Sequence, residues 1–163
     1  NLVLYTPIDT TAKGVTEGVV VTGFSTTDLD GNTVDSSVFG KSKLTVLNVW
    51  ATYCTPCVDE MPALETLSQN YKDKGVQVLG LVADVFDDEA KKAEAKEILT
   101  ATGTTYPNLL PDSVLDNSLL YDITGTPTTL FLDSEGKILK VVEGSRDLQA
   151  LTDLVDELLA DLK

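Results

Sequence analysis

Continuous apolar runs alternate along this chain with segments in which apolar residues recur every three or four positions, and the alternation divides it into strands and helices. Residues 1–14 carry an apolar patch (Leu2, Val3, Leu4, Tyr5) and then polar residues without a sustained period, as a tail or an added edge strand would. From Val15 the pattern turns β-like: Val19-Val20-Val21, then Phe24 to Asp28, Asp30-Gly31 and Thr33-Val34. Asp-Gly between short strands signals a hairpin. Leu44-Thr45-Val46-Leu47-Asn48-Val49-Trp50 and Val76 to Val82 are β-branched apolar runs of the kind covered on both faces of a sheet.

Between these runs, Met61, Leu64, Leu67 and Tyr71 predict a helix over Val58 to Lys72, with Lys74-Gly75 as its stop. A second helix opens at Asp87-Asp88-Glu89, where acids suit the macrodipole, and closes at Gly103. A short helix is expected over Asp116 to Tyr121. Residues 128–132 and 137–142 flank Asp133-Ser134-Glu135-Gly136 as a hairpin, and Leu148, Leu151, Val155, Leu158, Leu159 and Leu162 mark a C-terminal amphipathic helix. The order is that of an α/β domain with a mixed central sheet.

At 163 residues the chain suits one domain, here residues 15–163 after the 1–14 segment. Its composition, 42% hydrophobic and 23% charged, is that of a globular protein. No apolar run approaches the ~20 residues of a membrane span. Twelve Lys and Arg against 26 Asp and Glu give a net charge of −14, which argues against nucleic acid as a partner. There is no His, so Ser-His-Asp hydrolysis and His-containing zinc sites are excluded within one chain.

The two cysteines, Cys54 and Cys57, form a single C-x-x-C between a buried strand and a helix. Helical geometry sets both thiols on one face, and the unpaired N–H groups of a helix N-terminus stabilise a thiolate. Cys54, at the very end, is the expected nucleophile and Cys57 the resolving thiol. Pro56 suits the first helical turn, where its missing N–H costs nothing. Half of a zinc site would need ligands from a second copy, and no metal site is expected. A purely structural bridge would close too small a ring to stabilise much.

The motifs Leu47-Asn48-Val49-Trp50-Ala51-Thr52-Tyr53-Cys54-Thr55-Pro56-Cys57, Glu60-Met61-Pro62, Gly125-Thr126-Pro127-Thr128-Thr129 and Asp133-Ser134-Glu135-Gly136-Lys137 together resemble the thioredoxin fold, and within it the TlpA/ResA-like thiol-disulfide oxidoreductases exported by bacteria. The likeness runs from about Val21 to the end. It implies a thioredoxin-like fold with an N-terminal β-hairpin extension, and a TlpA-type central insertion over Asp84 to Asp112. It also implies a cis bond before Pro127, facing the cysteines, with the Thr126 backbone offered to substrate; a trans-proline turn is the plainer alternative. Trp50, Thr55 and Pro56 complete the expected substrate-contacting set. Where classical thioredoxins keep a buried Asp, this chain has Asn48. Glu60 matches the buried Glu that ResA-like members hold near their thiols, the alternative being a solvated acid on the helix surface.

The function expected is thiol-disulfide exchange, with the redox-active Cys54–Cys57 disulfide as the only cofactor. The Thr55-Pro56 pair has no cation to hold a thiolate, which favours a reductant. By resemblance the chain works as a monomer at the extracytoplasmic face of a bacterium, tethered through a removed N-terminal segment. Its electrons would come from a membrane thiol-disulfide carrier, and its substrates would be protein disulfides such as the oxidised C-x-x-C-H of apocytochrome c. The alternatives are a peroxiredoxin-like peroxidase and a redox-inactive binding module. Against the first, Ala51 stands where a peroxidatic loop carries Thr, and the only Arg is the distant Arg146.

Overall fold

The computed structural model describes residues 15–162, so the expectation for residues 1–14 lies outside the described part of the chain. A short hairpin comes first: β1 (Ser25–Thr27) pairs antiparallel with β2 (Thr33–Asp35) around Gly31, whose φ of 87° only glycine adopts freely. The main sheet contains β3 (Leu44–Trp50), β4 (Val76–Val82), β5 (Asn108–Leu109), β6 (Thr128–Asp133) and β7 (Ile138–Glu143), in the order β5-β4-β3-β6-β7. β3, β4 and β5 run parallel, while β6 lies antiparallel to β3 and β7 antiparallel to β6. The helices are α1 (Thr55–Tyr71), α2 (Glu89–Thr102), α3 (Ser113–Ser118) and α4 (Leu148–Asp161).

Because side chains alternate across a strand, the central sheet divides the core in two. Leu44 and Val46 of β3 pack with Leu64, Leu67, Leu151 and Val155 of α1 and α4. Leu47 and Val49 face the opposite way, onto Phe24, Phe39, Leu115 and Leu119. All seven residues of β3 are buried, as the unbroken apolar run predicts. Trp50, Ala51, Cys54, Cys57, Met61 and Val82 form a third cluster at the carboxyl end of β3 and β4.

The hairpin is fastened to the far edge of this sheet. Leu29 N–H donates to the Asn108 carbonyl at 2.9 Å and Leu110 N–H to the Thr27 carbonyl at 3.0 Å. Thus the β-hairpin extension and the central insertion, which contains α2 and β5, brace one another beside the cysteine pair.

Several expectations shift. Val19 to Val21 form no regular strand; a single bridge joins Val20 to Lys137. A 3₁₀ turn at Ser36–Lys41, capped by Asp35, has no apolar period and was not expected. The short helix begins at Ser113, three residues before Asp116, because the Asp112 side chain caps it by accepting Leu115 N–H at 2.8 Å. Helix α1 begins at Thr55 with Cys54 as its N-cap, as the C-x-x-C reading expects, one turn ahead of the apolar period that starts at Val58.

Candidate active site

The site is assembled where β3 ends. Trp50 is the last strand residue, Cys54 the cap of α1, and three intervening residues turn the chain. That turn is anchored by Asp84, at the end of β4, which accepts Thr52 N–H at 3.0 Å and the Thr52 hydroxyl at 2.6 Å. Lys91 of α2 pairs with the same carboxylate at 3.4 Å. Asp84 is a residue that the motifs do not mark; an acid two positions beyond a buried strand is its only signal.

Cys54 and Cys57 are joined as a disulfide with Cα atoms 5.3 Å apart. Cys54 Sγ accepts Cys57 N–H at 3.3 Å and lies 3.5 Å from the Thr126 carbonyl oxygen. The two sulfurs are not equivalent: Cys54 keeps 7% of its surface exposed and Cys57 none. A helix N-terminus directed at Cys54 favours its thiolate over that of a buried thiol one turn deeper.

Thr126–Pro127 is a cis peptide bond, so the trans-turn alternative does not hold. Pro127 is buried and Thr126 half-buried, while Thr55 and Pro56 are exposed beside the cysteines. Of these four, Thr126 touches the Cys54 sulfur through its carbonyl, Pro127 follows it, and Thr55 and Pro56 lie between the two cysteines in the chain. Trp50 is placed differently. Its side chain is wholly buried and its indole N–H donates to Asn108 Oδ1 at 2.8 Å, so it supports the loop from beneath and cannot touch a docked polypeptide. Placing it among the substrate contacts is corrected: β3 is covered on both faces up to its last residue, and Trp50 packs in the cluster that holds Cys57 and Met61.

Glu60 is 3% exposed, which rules out the solvated-surface alternative. Its Oε1 accepts from Asn48 Nδ2 at 3.2 Å and its Oε2 from Arg146 N–H at 2.9 Å. Asn48 Nδ2 also donates to Thr129 Oγ1 at 3.0 Å, leaving its own Oδ1 buried without a donor. Burial pushes the Glu60 carboxyl above its ordinary value; the Arg146 N–H, the Asn48 amide and the Arg146 charge oppose that rise without cancelling it. Arg146 contributes through its backbone, 86 positions from Glu60, and no sequence signal marks that contact. Its guanidinium turns away to the carbonyls of Glu143 and Ser145, so it does not serve the cysteines as a peroxidatic Arg would.

The Redoxin family profile matches residues 11–157, most of the chain. This chain belongs to the Redoxin family. A relative, the thiol-disulfide oxidoreductase ResA of Bacillus thuringiensis, is 29% identical over 135 residues, spanning 83% of this chain and 74% of its own. The thioredoxin-like protein YneN of Bacillus subtilis is 30% identical over 154 residues, spanning 94% and 86%. Among solved structures, a putative thiol:disulfide interchange protein DsbE from Chlorobium tepidum superposes with a TM-score of 0.72 at 26% identity, covering 91% of this chain and 99% of that one. Within the Redoxin family the chain is thus a thioredoxin-fold thiol-disulfide oxidoreductase of the ResA/DsbE type, with Cys54–Cys57 as its C-x-x-C pair.

Proposed function

We propose that this protein reduces disulfides in extracytoplasmic proteins, with Cys54 attacking and Cys57 resolving. One arrangement supports the reading above all. The sulfur of Cys54, the less buried of the two cysteines, caps a 17-residue helix and sits 3.5 Å from the backbone carbonyl of Thr126, where an extended substrate strand can align. Thr55 and Pro56, exposed in the first turn of α1, and Pro127, next to Thr126, complete the proposed contact set.

In the reduced protein the Cys54 thiolate attacks one sulfur of a substrate disulfide. That S–S bond breaks, a mixed disulfide forms, and the departing substrate thiolate takes up a proton. Cys57 gives its proton to a base and attacks Cys54 Sγ; the mixed disulfide breaks, the second substrate thiol leaves protonated, and the Cys54–Cys57 bond closes. Two electrons and two protons pass from the pair to the substrate. Glu60 is the base, held one helical turn beyond Cys57 with a carboxyl whose raised pKa suits exchange nearer neutrality.

The direction follows from what surrounds the sulfur. No cation stands in Thr55-Pro56, and the chain carries −14, so the thiolate is held weakly and the dithiol is the better electron donor. The likeness to ResA favours an extracytoplasmic setting, recharging by a membrane thiol-disulfide carrier, and substrates of the apocytochrome c kind. Insulin-disulfide reduction with a chemical electron source tests the core of the reading. Wild type accelerates it and Cys54→Ser abolishes the acceleration; no acceleration by wild type would favour a redox-inactive binding module.

A further inference from the structure

A groove of about 290 Å³ opens directly beside the reactive sulfur. It shares Thr126, whose carbonyl contacts Cys54 Sγ, and Tyr53, the residue preceding Cys54. Its walls include Ala83, Leu120 and Ile123, and they carry one charged group, Asp116 of α3. Asp84, beyond the groove wall, is already satisfied by Thr52 and Lys91, whereas the half-buried Asp116 carboxylate has no hydrogen-bond or ion-pair partner among the described residues. No lining residue is cationic. Tyr53 stands 77% exposed at the mouth.

Resting on the oxidoreductase reading above, we propose that Asp116 makes this groove a specificity site for a lysine or arginine side chain lying next to the substrate's reacting cysteine. The chemistry of the walls fits such an occupant. A Lys or Arg stem is aliphatic and packs on Leu120 and Ile123, while its charged head needs an anion. The Tyr53 ring face adds a cation–π partner. A glutamate in the same place would meet Asp116 as a like charge in a partly desolvated groove, which is unfavourable. The net charge of −14 draws cationic polypeptides from a distance, and Asp116 then discriminates at contact range.

The test uses two short peptides, each closed by an internal disulfide, with either Lys or Glu beside the reacting cysteine. Reduced protein is mixed with each in single turnover, and hydroxyethyl disulfide serves as an uncharged reference. Wild type prefers the Lys peptide, through apparent affinity rather than the limiting rate. Asp116→Asn shrinks that preference about five-fold, the scale of one partly exposed ion pair. Glu157→Gln on α4, which removes the same unit of charge away from the groove, leaves it intact. Equal rates for the two peptides with wild type, or an undiminished preference in Asp116→Asn, would overturn the proposal while leaving the oxidoreductase reading in place. Failure of wild type to reduce any of the three disulfides would overturn both.

Discussion

Replacing Glu60 by Gln isolates the buried carboxyl at the site. The carboxyl is 3% exposed, and its two oxygens accept from Asn48 and from the Arg146 backbone. Two terms nearly offset in stability. The amide loses a charge-assisted bond from Arg146 N–H, about 1 kcal/mol relative to a neutral acceptor, and escapes the cost of burying a negative charge. Hydrogen bonding also adapts, because a turned Asn48 amide presents Oδ1 to the new NH2 while the Thr129 hydroxyl becomes the donor. Folding at neutral pH is therefore expected to change by no more than about 1 kcal/mol.

The pH dependence carries a definite sign. Burial raises the folded-state pKa above the ordinary glutamate value, so the folded protein holds the proton more tightly than the unfolded chain does. The stability this contributes is fully present below the unfolded pKa and is lost as pH rises through the folded one. Glu60→Gln removes that slope. In catalysis the ionised form accepts the Cys57 proton, so the wild-type rate rises with pH through the same raised pKa. The variant lacks that ionisation and is slower at neutral pH by about 10-fold or more. Denaturant titrations and single-turnover rates on one disulfide substrate, taken across the same pH range for both proteins, are the assay. Superimposable rate profiles would refute the role given to Glu60.

Two further substitutions test the scaffold. A Cβ on Gly80 would overlap Asn108 Oδ1, the acceptor of the Trp50 indole N–H, so Gly80→Ala is expected to cost about 2–5 kcal/mol from overpacking and a lost buried bond. Denaturation followed by the fluorescence of the chain's single Trp measures it, and a cost below about 0.5 kcal/mol would contradict the packing described. Asp88 caps α2 by accepting Ala90 and Lys91 N–H, so Asp88→Ala is expected to lower stability by about 1 kcal/mol without altering the insulin-reduction rate. A rate loss would mean that α2 acts on the site beyond its Lys91–Asp84 pair.

The contrast between what the sequence discloses and what it hides follows range. β3, β4 and α4 are legible because each buries a continuous face, so composition alone marks them. The cysteine pair, the Thr126–Pro127 loop and the burial of Glu60 are legible because short motifs carry them. The two-residue β5 is not, since its stability comes from β4 and the hairpin rather than from its own residues. The burial of Trp50 is not legible, because its place in the motif beside the cysteines does not show that β3 stays covered on both faces to its last residue. Asp116 on α3 and Arg146 just before α4 lie far along the chain from the cysteines, and a backbone N–H donated across 86 positions leaves no trace in residue identity.

The central claim is that Cys54 attacks and Cys57 resolves, and trapping tests it most directly. Cys57→Ser and Cys54→Ser proteins, each with one thiol left, are incubated with a disulfide-containing polypeptide and examined by mass spectrometry without reductant. The burial difference, 7% exposure against none, predicts mixed disulfides that accumulate on Cys57→Ser and scarcely form on Cys54→Ser. Equal trapping by the two variants, or trapping through Cys57 alone, would contradict the account.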